Sequence, residues 1–139
     1  MKLDNYILCD DIRNELHNKF SLMGLYADRL IIKVPKALEV KWPKPLRLAI
    51  YLRLIFNEND ERPDSFCFTF QILGQKLKSI IGKVIMDEGK TMLNISLIAE
   101  GLPISPGKLG FELTLKKANK EIYSERVEQA LIIVEEKVG

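Results

Sequence analysis

Between residues 46 and 115, apolar side chains return at every second position in one segment after another. Leu46, Leu48, Ile50, Leu52, Leu54 and Phe56 share one parity, with Arg47, Tyr51 and Arg53 on the other. Phe66, Phe68, Phe70 and Ile72 alternate with Cys67, Thr69 and Gln71. Leu93, Ile95 and Leu97 alternate with Asn94 and Ser96, and Leu109, Phe111, Leu113 and Leu115 with Glu112, Thr114 and Lys116. Successive strand residues point to opposite faces, so this period gives each strand one apolar face. A helix would scatter the same residues around its axis. Turn-forming segments separate the runs, and strands at about ten-residue spacing build a sandwich or a barrel. The one helical candidate, Tyr123–Leu131, is better assigned to a strand.

The same pattern sets expectations for pairing. Leu46–Phe56 and Phe66–Ile72, joined by the polar NENDERPD, are expected to form an antiparallel hairpin that supplies one core layer. Gly82, inside the strand Leu77–Met86, is expected to mark a bulge. GLPISPG is expected to end the strand Met92–Ala99, and EEKVG to fray beyond a terminal strand Glu121–Val134. Leu48, Ile50, Leu52, Phe68, Phe70, Leu93, Ile95, Leu97, Phe111 and Leu113 are expected to form one cluster.

Asp4–Ile32 is less generic. It reads as two strands and a tight turn, with a third strand starting near Leu30 and ending at Pro35. A loop of His17, Asn18 and Lys19 puts Leu16 opposite Phe20 and Ile12 opposite Gly24, which keeps Leu8, Ile12, Leu16, Phe20, Leu22 and Tyr26 on one side. Asn18 suits the left-handed turn position. In this register Asp10 lies across from Tyr26 on or near the buried face. Paired aspartates are unfavourable inside a strand, and a buried carboxylate needs a partner. Arg13, Arg29 and amides freed by a bulge at Asp10–Asp11 are the candidates. A structural role is the better reading; the functional alternative is metal-assisted chemistry on Asp10 and Asp11.

The runs ILCDDIRNEL and KFSLMGLYADRLII resemble the N-terminal CDDIR…SLMGLY signature of a small bacterial family classed as a domain of unknown function. LRLAIYLRL and GLPISPGKLGFELTL extend the resemblance along most of the chain. The resemblance implies a β-sandwich of immunoglobulin or C2-like type and carries no activity, cofactor or catalytic residue. With the strand pattern, it leads to one expected architecture. Residues 1–139 should form a single all-β domain, an antiparallel sandwich of eight or nine strands.

Apolar residues make up 47% of the chain and charged residues 29%, a globular balance. A chain of this length buries about two-thirds of its unfolded surface. The formal charge of +2 gives no reason to expect nucleic acid, and no apolar run suits a membrane span, so a cytoplasmic protein is expected. Cys9 and Cys67 are then reduced thiols. His17 is the only histidine, so conventional zinc sites and histidine triads are unavailable within one chain. Ser105 has no neighbouring base, and no phosphate-binding glycine loop is present. Glu58, Asp60, Glu61 and Asp64 have oxygen ligands for calcium but match no EF-hand loop spacing and enclose Arg62, so a solvated turn is preferred. No cofactor and no metal are expected.

The stretch KVPKALEVKWPKPLR carries prolines at 35, 43 and 45, which forbid a regular strand or helix interior there. It is expected to cross the surface, with an extended edge segment at Leu38–Val40. Lys36, Lys41, Lys44 and Arg47 around Trp42 are the candidate binding residues, suited to an acidic partner. The expected function is a non-enzymatic binding or assembly module. Its partner is another protein, reached through loops or an edge strand; a homo-oligomer stays open.

Overall fold

The computed structural model describes every residue except Asn18. Nine strands account for the regular structure of the described residues: β1 (Lys2–Glu15), β2 (Lys19–Leu25), β3 (Arg29–Pro35), β4 (Lys44–Ile55), β5 (Ser65–Ile72), β6 (Gln75–Lys83), β7 (Met92–Ile104), β8 (Gly107–Lys117) and β9 (Lys120–Val138). They form two sheets, ordered β2-β1-β4-β7 and β3-β9-β8-β5-β6. All neighbours are antiparallel except β3 and β9.

One apolar cluster joins the two sheets. Leu8, Leu48, Ile50, Leu52 and Leu97 enter it from the first, and Phe68, Phe70, Leu109, Phe111 and Leu113 from the second. Phe68 stacks on Phe111 with ring centroids 5.3 Å apart, and Tyr6 of β1 meets Phe111 edge-on at 5.2 Å. All ten expected core residues belong to this cluster, Leu93 at its margin.

The expected β4–β5 hairpin does not form. β4 pairs with β1 and β7, whereas β5 pairs with β6 and β8, so Phe56–Asp64 crosses from one sheet to the other. Alternation identifies a buried face, and two strands facing each other across a core carry the same pattern as two side by side. Gly82 marks no bulge either: it lies opposite Phe66, whose ring occupies the space a Cβ would need, 2.5 Å away. β7 runs past Ala99 through Gly101–Ile104, and Ser105 and Pro106 then make the turn into β8. Gly101, at φ 64°, accommodates one extra residue between the pairs Leu46↔Leu102 and Leu48↔Ala99. The tail does not fray through Val138, because Glu135–Val138 pair with Ile32–Pro35. Leu38–Val40 form no strand.

In the first hairpin the expected register is off by two residues. Ile12 faces Leu22, Asn14 faces Phe20 and Glu15 faces Lys19. An even shift leaves the parity of the pairs unchanged, so alternation alone cannot choose between the two registers. Leu16 falls beyond the last pair and is 81% exposed. The left-handed residue is His17, at φ 63°; the expectation for Asn18 lies outside the described residues.

Candidate recognition surface

β1 leaves β4 after the pair Cys9↔Ala49 and continues with β2 alone. The single apolar side expected for the first hairpin is split: Leu8, with Tyr26, belongs to the inter-sheet core, whereas Ile12 joins Cys9, Ala49, Tyr51, Ile7 and Leu22 in a second cluster on the outer face of the first sheet. The change falls at Asp10–Asp11. Between the pairs Cys9↔Leu25 and Asp11↔Met23, Asp10 meets Gly24, whose φ is 69°. A Cβ on Gly24 would lie 2.2 Å from Asp10 Oδ2, so only glycine leaves room for that carboxylate.

The two aspartates take separate partners. Asp10 is exposed, not buried, and accepts a hydrogen bond from the Tyr26 hydroxyl. Burial and then this carboxylate push the Tyr26 phenol up to about 12. Asp11 Oδ1 accepts from the Ile12 amide at 3.0 Å and lies 3.1 Å from Arg47 Nη1, with Arg13 Nε 3.7 Å from Oδ2. Arg29, the other expected partner, pairs with Ile132 at the start of β3 and makes no ion pair with either aspartate among the described residues. Burial raises the pKa of the adjacent Cys9 thiol, and both cysteines are free.

The crossover expected to carry recognition is held down at its start. The Lys36 amide donates to the Val138 carbonyl at 2.9 Å, the Leu38 amide to Pro35 at 3.0 Å, and Lys137 Nζ to the Leu38 carbonyl at 3.3 Å. Lys36, Lys41 and Lys44 are exposed, and Trp42 is half-buried before a cis bond to Pro43. Arg47 stands apart from the lysines in its contacts. Its Nε donates to Glu100 Oε1 at 2.5 Å while Nη1 reaches Asp11, and the Glu100 bond is the main reason its pKa lies above the ordinary value.

Sequence reasoning missed an open hollow of about 430 Å³ on the outer face, lined by Lys19, Phe20, Leu22, Tyr51, Arg53 and Asn94. It exists because the β1–β2 arm folds back over β4: the Phe20 and Tyr51 rings are 6.0 Å apart. Along its floor Tyr51 donates its hydroxyl to Asn94 Oδ1 at 2.7 Å. Arg53 donates Nε to the same oxygen at 3.3 Å and Nη2 to the Tyr51 hydroxyl at 3.2 Å. The signal was present in β4, where Ala49 and Tyr51 put apolar surface on the face opposite the core residues. No protein-family model matches this chain, and no curated protein sequence matches it significantly.

The acidic turn is occupied by its own chain. Asp60 Oδ2 accepts from the Met1 amine at 2.6 Å and the Asn57 amide at 2.7 Å, which hold its pKa below the usual carboxylate value. Arg62 Nη1 donates to the carbonyls of Asn57 and Asp60. Among the described residues no group of histidine, cysteine, aspartate and glutamate is placed to hold a metal ion. No helix among them is long and apolar enough to cross a membrane.

Proposed function

We propose that this chain is a non-enzymatic binding or assembly module that recognises another protein along the edge strand β2. The observation that carries this reading is an unguarded edge. Phe20–Leu25 contain no charged residue and no proline, and Leu25 is 60% exposed. The other edges carry the usual deterrents to strand addition: Arg29, Lys33 and Pro35 on β3, three lysines on β6, and Pro103 with a bulge on β7. A bare edge offers main-chain hydrogen bonds to an incoming strand, with pockets for alternate side chains.

The fold is read as a single-domain sandwich of immunoglobulin type. The order β9-β8-β5-β6 corresponds to strands G, F, C and C′ of that fold, and β1-β4-β7 to A, B and E. Membership of the CDDIR…SLMGLY family and a cytoplasmic setting with reduced thiols belong to the same reading. The basic crossover with Lys36, Lys41, Trp42 and Lys44 is the second candidate surface. The metal-assisted alternative is less well supported, because Asp10 and Asp11 are engaged by different side chains.

Two variants separate the surfaces in a pull-down from the native cell. Met23→Lys with Leu25→Lys should abolish partner capture without shifting the melting midpoint. Trp42→Ala with Lys41→Glu and Lys44→Glu should leave capture intact. The opposite pattern would move recognition to the crossover. Partner capture unchanged in both variants would remove the edge-strand reading.

A further inference from the structure

Arg53 is held in place without a carboxylate. Its cross-strand neighbours are Asn5 on β1 and Asn94 on β7, both neutral. Arg47 has Glu100 and Asp11, and Arg13 has Asp11, but no acid lies within ion-pair distance of Arg53 or Lys19 among the described residues. Glu15, opposite Lys19, instead accepts from the Ser21 hydroxyl at 3.0 Å. Tyr51 and Asn94 take one N–H from Nε and one from Nη2, and the remaining donors of the guanidinium are left over. Arg53 is half-buried, and its guanidinium carbon is 6.0 Å from the centre of the Tyr51 ring.

We propose that this hollow seats the carboxylate side chain of an extended acidic segment of a protein partner lying against β2, an assignment that rests on the protein-recognition reading above. The charge is complementary: two cations line the hollow and no acid does. The guanidinium is already oriented by two hydrogen bonds, so little side-chain freedom is lost when a carboxylate arrives. Phe20, Leu22 and Tyr51 form an apolar wall beside it. Exclusion of water by such walls strengthens a charged pair, and arginine and tyrosine are among the residue types enriched where binding energy concentrates at interfaces. The hollow therefore selects an acidic side chain flanked by apolar residues, with β2 supplying the adjoining edge.

A random peptide library displayed on phage is the probe. Selection against the full chain should enrich peptides with an acidic residue between apolar ones. Changing that residue to its amide, or Arg53→Gln in the protein, should weaken binding of the selected peptides by about tenfold or more. Asn94→Asp should weaken it similarly while leaving the melting midpoint at or above the parent's, because the new carboxylate occupies Arg53 and keeps the acceptor for Tyr51. That variant distinguishes ligand loss from misfolding. Peptides sensitive to Met23→Lys but indifferent to Arg53→Gln and Asn94→Asp would overturn the carboxylate site and leave edge recognition standing. Failure to enrich any peptide would overturn both. Benzoate binding as tightly as the peptides would reassign the hollow to a small acid. A dimer in sedimentation that Arg53→Gln dissociates would reassign it to a second copy of this chain. Either result overturns the proposal.

Discussion

Asp11 and Arg47 meet at 3.1 Å two register positions beyond the last β1–β4 backbone pair, Cys9↔Ala49. Where the ladder stops, an ion pair carries on in its place. Arg47 also grips Glu100 beside the β7 bulge, so one guanidinium ties three strands together as β1 departs. Asp11→Ala should destabilise the fold by about 1–2 kcal/mol in urea unfolding, since it removes the acceptor of the Ile12 amide and one of the two carboxylates on Arg47. Asp10→Ala should cost less, because that side chain is exposed. Equal losses from the two variants would contradict this division of roles.

Tyr26 makes stability depend on pH at the alkaline end. Its phenol titrates at about 12 in the folded protein against an ordinary 10.0, so the folded state holds the proton longer than the unfolded chain. The stabilisation is complete below the unfolded value and is lost as pH rises through the folded one. Denaturation midpoints should therefore fall between these two values, and Tyr26→Phe should flatten the fall. A parallel decline in both proteins would show that other groups cause it.

Gly24 is required twice over, by its φ of 69° and by the Asp10 carboxylate above it. Gly24→Ala should cost about 1–2 kcal/mol from the left-handed backbone alone, with the steric clash in addition. Combining it with Asp10→Ala should recover the steric part and leave the backbone part, which a double-mutant cycle of melts would resolve. Strict additivity would mean that the carboxylate moves aside at no cost.

Phe68 and Phe111 are fully buried and stacked at 5.3 Å. Truncating either to alanine should cost about 3–5 kcal/mol. The pair should show a coupling of about 0.5–1.5 kcal/mol, as aromatic neighbours in contact do. Losses below about 1 kcal/mol at both positions would place these rings outside the core.

Strand positions and buried faces could be read directly from the chain. Alternation at Leu46–Phe56, Phe66–Ile72 and Leu109–Leu115 reflects a local property, the pleat, which each segment expresses without reference to its neighbours. The ten core residues were legible for the same reason. Neighbour identity was decided only in three dimensions. β4 and β5 bury equivalent faces whether they pair or lie across the core, and the tail Glu135–Val138 becomes a strand only because β3 lies beside it. The two-residue slip at Ile12↔Leu22 preserves the parity of every pair, so hydrophobicity could not detect it. The hollow depends on the same tertiary event. Phe20 reaches Tyr51, and Arg53 lines a concave floor, because β1 parts from β4 at Cys9 and folds its arm back over the sheet. Side-chain period encodes which way a residue points; the sheet's curvature decides what it meets.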